Sequence, residues 1–235
     1  MKISVCMATY NGEKYIKEQL DSILSQLSEN DEVIVSDDSS NDKTVEIIKS
    51  YHDDRVRLFE NQNFNSPVYN FENALIKAKG NIIVLADQDD VWENNKIETI
   101  KKYMQGYDLV LSDAYIIDEH GAVIQESFYK LNGSKSGFVK NIVKNSYLGC
   151  TMAFNRKILL KTLPFPKDLP MHDWWIGLIG EMFGNTYFIK DRLVMYRRHS
   201  NNASLTGEKS SYSLFKKISF RLTIIKNLIL RYIGL

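Results

Sequence analysis

Ile82-Ile83-Val84-Leu85-Ala86-Asp87-Gln88-Asp89-Asp90-Val91-Trp92 is the stretch on which the reading of the chain turns. Its first five residues are apolar without interruption, the pattern of a strand buried on both faces of a sheet. Three carboxylates then fall within four positions. Crowded at the end of a buried strand, they repel one another, and that repulsion has to be relieved. A divalent cation relieves it. Hard oxygen ligands with one residue between them suit Mg²⁺ or Mn²⁺, whose shell a ligand diphosphate can complete. The competing reading is an acidic, solvated loop, but such a loop has no need of Trp92 directly behind it.

Outward from this stretch, strands and helices alternate. Ile3 to Met7 and Val33-Ile34-Val35 are buried strands, Val56 and Leu58 mark a short one, and Leu109-Val110-Leu111 another. Between them Ile16, Leu20, Ile23 and Leu27 recur at helical spacing, as do Val45 with Ile48, Phe71 with Leu75, and Ile97 with Ile100 and Met104. Asn41 or Asp42 is placed to cap the helix that carries Val45. This order predicts an α/β fold, a mainly parallel sheet with helices on both faces. Ligands of such sheets bind beyond the carboxyl ends of the strands. Three polar loops lie at such ends: Thr9–Gly12, Asp37–Thr44 and Asp87–Asp90. One ligand touching all three accounts for their polarity together. Gly12 is read as a turn residue with unusual backbone angles. Thr9 and Asn11 offer polar groups, and Tyr10 either stacks on a base or is a half-buried ring. Asp37 and Asp38 offer acceptors for a base or a ribose, with one of the two expected to serve the turn instead.

Composition sets bounds. The 235 residues suit one α/β domain with an appendage, and 44% hydrophobic with 25% charged residues is globular composition. A net charge of +1 gives no basic field for nucleic acid. Cys6 and Cys150 form no metal-spaced pair and sit in apolar runs, as reduced buried thiols of a cytoplasmic protein do. Met1-Lys2-Ile3 enters a strand directly, without a signal peptide, and no apolar run is long enough for a bilayer.

The order Ala8-Thr9-Tyr10-Asn11-Gly12, then Asp37-Asp38-Ser39-Ser40-Asn41-Asp42-Lys43-Thr44, then Asp87-Gln88-Asp89-Asp90 resembles the family-two inverting glycosyltransferases of the GT-A fold. The resemblance runs from about Lys2 to about Asn202, and it departs at Ala8, where the family often has Pro or a hydroxyl residue. It implies a nucleotide-diphosphate sugar donor, with Asp38 holding the base, Asp87 near the ribose and metal, and Asp89 on the metal. It divides the chain into a glycosyltransferase domain over 1–207, with a nucleotide-sugar half (1–113) and an acceptor half (114–207), and a tail over 208–235.

In the acceptor half, Tyr115 to Val123 reads as two short strands around a turn that carries His120, Phe128–Gly137 as a mobile loop, and Tyr147–Phe154 as a strand. Met171-His172-Asp173-Trp174-Trp175 opens a helix after Pro166 and Pro170. Asp173 favours the helix dipole, or it is the general base that takes the proton of an acceptor hydroxyl. The family carries its base at a short acidic pair starting a helix, and Asp173 matches the second position. His172 is read as support rather than catalyst. The adjacent tryptophans offer flat faces for sugar rings. His199, after the strand Leu193–Tyr196, resembles the histidine that completes the metal shell in many relatives, so the expected metal set is Asp87, Asp89 and His199. Arg197 or Arg198 is expected to neutralise the leaving diphosphate.

The tail has no acidic residue after Glu208, while Phe215, Ile218, Leu222, Ile225, Ile229 and Tyr232 share one helical face. It is read as a basic amphipathic helix on an anionic membrane surface, against a helix packed on its own domain or in a homodimer. The expected function is transfer of a UDP- or dTDP-linked sugar to a saccharide acceptor, lipid-linked by resemblance to bacterial surface-polysaccharide enzymes, at the inner face of the cell membrane. The rivals are a Mg²⁺-dependent phosphohydrolase and a non-catalytic nucleotide-binding module.

Overall fold

The computed structural model describes residues 1–200, 202 and 212–234. The boundary expected at 207/208 lies outside them. In chain order the elements are β1 (Ile3–Thr9), α1 (Ile16–Leu24), β2 (Glu32–Asp37), α2 (Thr44–Lys49), β3 (Val56–Phe59), α3 (Pro67–Lys77), β4 (Ile82–Ala86), β5 (Val91–Trp92) and α4 (Lys96–Tyr103). The second half continues with β6 (Leu109–Ile117), β7 (Val123–Gln125), α5 (Phe128–Asn132), α6 (Phe138–Val143), β8 (Met152–Asn155), α7 (Arg156–Thr162), α8 (His172–Phe183), β9 (Thr186–Arg197) and α9 (Leu214–Tyr232).

The strands form one mixed sheet in the order β3-β2-β1-β4-β8-β6-β9-β5, with β7 beside β6. β3, β2, β1 and β4 are parallel. β8 runs against both β4 and β6, and β9 is parallel to β6. The antiparallel β8 therefore restores direction, and β9 ends at the same edge as β1, β2 and β4. Register brings Thr9 opposite Asp37 and Met7 opposite Ala86. All three acidic or polar loops start from one edge.

The central strands β1, β2 and β4 are buried on both faces, as uninterrupted apolar strands require. Ile3, Val5 and Met7 of β1 pack with Ile16 and Leu20 of α1 and Ile97 of α4. Cys6, on the other face, packs with Phe71 of α3, Ile158 of α7 and Trp175 of α8. The alternation of successive strand residues between faces produces the two layers.

Some local expectations change. Phe128–Gly137 is not a mobile loop over its first half. Phe128 is fully buried, Ser127 caps α5, and the Ser127 hydroxyl donates to Asp113 at 2.6 Å. Of Tyr147–Phe154, only the last part is strand, entered through a short 3-10 turn at Gly149–Thr151. It is Asn11 that takes the left-handed backbone (φ 49°) in the first loop. At Gly12 a Cβ would sit 2.4 Å from Gln88 Oε1, so a side chain there would displace the Gln88 amide.

α9 docks on its own domain. Ile224 and Leu228 are buried in the layer that contains Trp174 and Trp175. Arg231 donates to Leu163 O (2.6 Å), and Arg221 donates to Lys217 O (2.7 Å) and to Val143 O. The two guanidinium groups lie 5.6 Å from the Trp174 and Trp175 rings. Two of the tail's basic side chains thus face the protein. The stripe of Phe215, Ile218, Leu222 and Ile229 faces away from it. Among the described residues, no helix is long and apolar enough to cross a membrane.

Candidate active site

The first two loops are zipped together. Asn11 N donates to Ser40 Oγ (2.9 Å), Asn41 N to Asn11 Oδ1 (2.8 Å), Gly12 N to Thr44 Oγ1 (2.7 Å) and Lys43 N to Glu13 Oε2 (2.9 Å). Asp37 serves this turn, accepting from Thr9 Oγ1 (2.7 Å), Ser40 N (2.9 Å) and Ser40 Oγ (2.6 Å). Asp38 stands beyond it, half-buried, and accepts from Phe64 N (2.6 Å) and Ser66 N (3.2 Å). Asp37 thus takes the turn role expected of one of the two aspartates. Thr9 is otherwise. It is 1% exposed, its hydroxyl is given to Asp37, and its carbonyl accepts from Asn70 Nδ2 (3.1 Å). Its side chain supports the loop from inside rather than facing a ligand. Tyr10 is 55% exposed, more open than a half-buried ring, and lines a pocket of about 270 Å³ with Asn11, Tyr15, Gln88 and His199. Gln88 ties this loop to the acidic one: its Oε1 accepts from Tyr10 N (2.9 Å) and its Nε2 donates to Tyr10 O (3.0 Å).

The acidic loop points two ways. Asp87, half-buried, and Asp90, fully buried, each have a carboxylate oxygen within 4.8 Å of Cys150 Sγ. The Lys96 ammonium lies beneath them, fully buried, donating to Cys150 O at 2.8 Å and standing 4.1 Å from the Trp92 ring centre. Burial pushes Asp87 well above the usual carboxylate range, helped by the charges of Asp90, Asp89 and Asp173 and opposed by Lys96. Burial and Asp89 push Asp90 up to about 7, and burial pulls Lys96 down to about 8. Reading the sequence missed both Cys150 and Lys96. For Lys96 a signal existed, because it lies one helical turn from Ile100 on the buried face of α4.

Asp89, 8% exposed, faces His199. The imidazole Nε2 lies 2.8 Å from Asp89 Oδ2, and Asn202 Nδ2 donates to the same oxygen at 3.1 Å. His199 also stacks on Tyr15, ring centres 5.0 Å apart. Two of the three expected metal ligands are therefore brought together, while Asp87 sits with Asp90 and Cys150. An imidazole nitrogen and a carboxylate oxygen about 3 Å apart have the spacing of neighbouring ligands on an octahedral cation with bonds of about 2.1 Å. The donor set, carboxylate and imidazole, suits Mn²⁺ and accepts Mg²⁺. Arg197 does not reach toward a ligand. It is 2% exposed, its backbone N donates to Asp90 Oδ1 (2.9 Å), Nε to Asp89 O (2.8 Å) and Nη2 to Glu18 (2.6 Å). It fastens β9 to the acidic loop. Arg198 is half-buried at the strand's end, its N donating to Ile117 O at 2.8 Å.

Asp173 sits in the first turn of α8, 5% exposed, near enough to Asp87 that its charge raises the latter. Its Oδ1 accepts from Trp174 N at 2.6 Å. Burial pushes its carboxyl up to about 7, against hydrogen bonds from Trp174 N and the Asn145 side chain. His172 stacks on Phe71 with ring centres 4.1 Å apart, and burial pulls it down to about 3, so it is neutral at working pH. Its Nε2 is buried without a hydrogen-bond partner and faces Gly149, where a Cβ would approach to 3.1 Å. The tryptophans do not offer their faces to a sugar. Trp174 and Trp175 are 4% and 0% exposed, with indole N–H groups given to Asn141 O (2.6 Å) and Thr162 O (3.0 Å). His120 stands exposed in its turn, as expected.

A family model described as "Glycosyl transferase family 2" matches residues 4–163. An uncharacterised glycosyltransferase of Methanocaldococcus jannaschii is 32% identical over 231 residues, 91% of this chain and 77% of that protein. The GalNAc(5)-diNAcBac-PP-undecaprenol beta-1,3-glucosyltransferase of Campylobacter jejuni is 26% identical, over 91% of this chain and 71% of its own. Among solved structures, Staphylococcus aureus TarS 1–349 in complex with UDP-GlcNAc superposes with a TM-score of 0.74 at 21% identity, over 97% of this chain and 67% of that one.

Proposed function

The chain belongs to glycosyltransferase family 2, with the GT-A fold, and on that premise we propose that it moves a sugar from a UDP- or dTDP-linked donor to a hydroxyl of a lipid-linked saccharide, inverting the anomeric centre. Membership of this family sets aside the phosphohydrolase and the non-catalytic module. The observation that carries the reading is the position of Asp173. A carboxyl that burial pushes up to about 7 stands in the first turn of α8, near enough to the Asp87 loop that its charge raises Asp87, and outside the acidic loop assigned to the donor.

In this reading Asp38 and Tyr10 receive the base and Asp87 the ribose. Asp89 and His199 would hold a divalent cation, whose chemistry would be charge neutralisation at the diphosphate. Arg198, rather than Arg197, is the arginine assigned to the diphosphate. Asp173 accepts the acceptor's proton as its oxygen attacks the anomeric carbon from the face opposite the leaving diphosphate. A single displacement inverts that carbon. The acceptor class is taken from the Campylobacter relative, whose name specifies an undecaprenyl-linked substrate.

The test is transfer from a panel of UDP- and dTDP-sugars to an undecaprenyl-diphosphate-linked acceptor, with Mn²⁺ and with EDTA. Full activity in EDTA removes the cation from the reading. Phosphate release with no glycosidic product removes the transfer itself.

A further inference from the structure

We propose that α6 and the outward stripe of α9 form one surface that lies on an anionic membrane, beside the acceptor side of the site. The proposal rests on the lipid-linked acceptor above and goes further, by fixing which face of the domain meets the lipid and which residues hold it.

α9 is apolar on two faces. One face, Ile224 and Leu228, is consumed by the domain. The other is long and open: Phe215 is 83% exposed, Leu222 62% and Ile229 56%. From Phe215 to Ile229 it runs about 21 Å at the usual helical rise. Such a stripe on a lone domain is costly to leave in water. Lys226 stands beside Phe215, Ile218 and Leu222 on this face of α9. Next to it, α6 exposes Val139 (72%) and Val143 (62%), and the Val143 carbonyl is bound by Arg221 of α9. The two helices are thus neighbours, each with an apolar edge in solvent.

Charge decides the occupant. From Ser127 to Lys167 the chain has no acidic residue and eight basic ones. α9 has none acidic and five basic. Arg221 and Arg231 are spent on backbone carbonyls, but Lys140 on α6 and Lys226 on α9 stand exposed. A second copy of this chain would bring the same positive charge against itself. Anionic headgroups over an acyl boundary meet both the lysines and the apolar stripe.

The position also fits. Asn141 O of α6 accepts from Trp174 Nε1, Asn145 just past α6 bonds Asp173, and Val143 O takes Arg221. Within the five residues 141–145, Asn141, Val143 and Asn145 therefore touch the neighbouring tryptophan, the membrane-facing helix and the base. A lipid-borne sugar would arrive next to Asp173.

The test is co-sedimentation of the full chain with phosphatidylcholine vesicles with and without phosphatidylglycerol, with no sugar substrate present. Two variants are compared: Lys140→Glu/Lys226→Glu, and Val139→Ser/Phe215→Ser/Leu222→Ser. All five positions are exposed, so melting temperatures should stay near that of the parent. The expected result is binding to the anionic vesicles alone, weakened at least tenfold in each variant and by raising salt well above the roughly 0.1 M at which the screening length is about 10 Å. Transfer to a water-soluble acceptor should be unchanged in both. An intact chain that ignores anionic vesicles overturns the proposal, as does binding that neither variant reduces. Sedimentation showing a dimer that the triple-serine variant dissociates assigns the stripe to a second copy instead. Because vesicle binding is read without substrate, failure of the transfer reaction leaves this result standing.

Discussion

His199 Nε2 and Asp89 Oδ2 meet at 2.8 Å from positions 110 residues apart, one at the end of β9 and the other just after β4. The meeting depends on sheet topology, because β9 reaches the same edge as β4 only through the reversed strand β8. If the pair is a cation's grip, His199→Ala should weaken Mn²⁺ binding by more than the roughly 10–100-fold that follows loss of a group merely supporting a ligand. Calorimetric titration of Mn²⁺ in the presence of UDP checks this. Unaltered affinity would return His199 to an ordinary hydrogen-bonding role.

Asp173→Asn should lower kcat by roughly two to four orders of magnitude, the usual scale for loss of a general base. Donor KM should change little. A clean test is single-turnover transfer at saturating donor, and near-parental rates would remove Asp173 from the proton's path.

The same carboxyl gives a pH signature. It acts as base only when ionised, and burial pushes it up to about 7. Activity should therefore fall as pH drops below about 7 and level off above it. In Asp173→Asn the residual rate should lack that acid limb. His172 adds no limb of its own near neutrality, since burial keeps it neutral down to about pH 3.

The two faces of α9 should respond differently to the same change. Leu228 is 2% exposed and Leu222 is 62% exposed. Leu228→Ala should cost about 2–5 kcal/mol of stability as a core truncation, and Leu222→Ala less than about 0.5 kcal/mol. Thermal melts of both variants decide it. Removing the whole tail should be destabilising for the same reason, by uncovering Trp174 and Trp175.

Lys96 is the buried counter-charge to Asp87 and Asp90. Lys96→Met keeps the volume but removes the hydrogen bond to Cys150 O and a positive charge near the two carboxyls, which should cost roughly 1–3 kcal/mol. Added Mn²⁺ with UDP should raise the melting temperature of this variant more than that of the parent, because a cation on the acidic loop offsets part of the missing charge. Equal shifts in both would separate Lys96 from the acidic loop.

What the sequence revealed followed a physical division. The strands around Val5, Ile34 and Val84 were legible because uninterrupted apolar runs have few alternatives. The polar loops were legible because strand direction places them at one edge. Side-chain direction was less so. Thr9, Arg197 and the two tryptophans are polar or aromatic residues in the right place that face inward. For the tryptophans a signal was present: Trp174, Trp175, Ile176, Leu178 and Ile179 leave α8 apolar all round, which marks a buried helix. For Arg197 and Cys150 none was, since their partners come from more than 50 residues away in sequence.

Gln88 occupies the position between the two outermost aspartates of the Asp87–Asp89 motif, where the motif itself demands no particular residue. Here it is not interchangeable. Its amide holds Tyr10 from both sides, and it fills the space that any side chain at position 12 would require. Positions 12 and 88 are therefore physically coupled. A graft that carries the acidic loop of another enzyme into this scaffold must bring a matching first loop with it. A side chain at position 12 requires the Gln88 amide to swing away and give up its two hydrogen bonds to Tyr10.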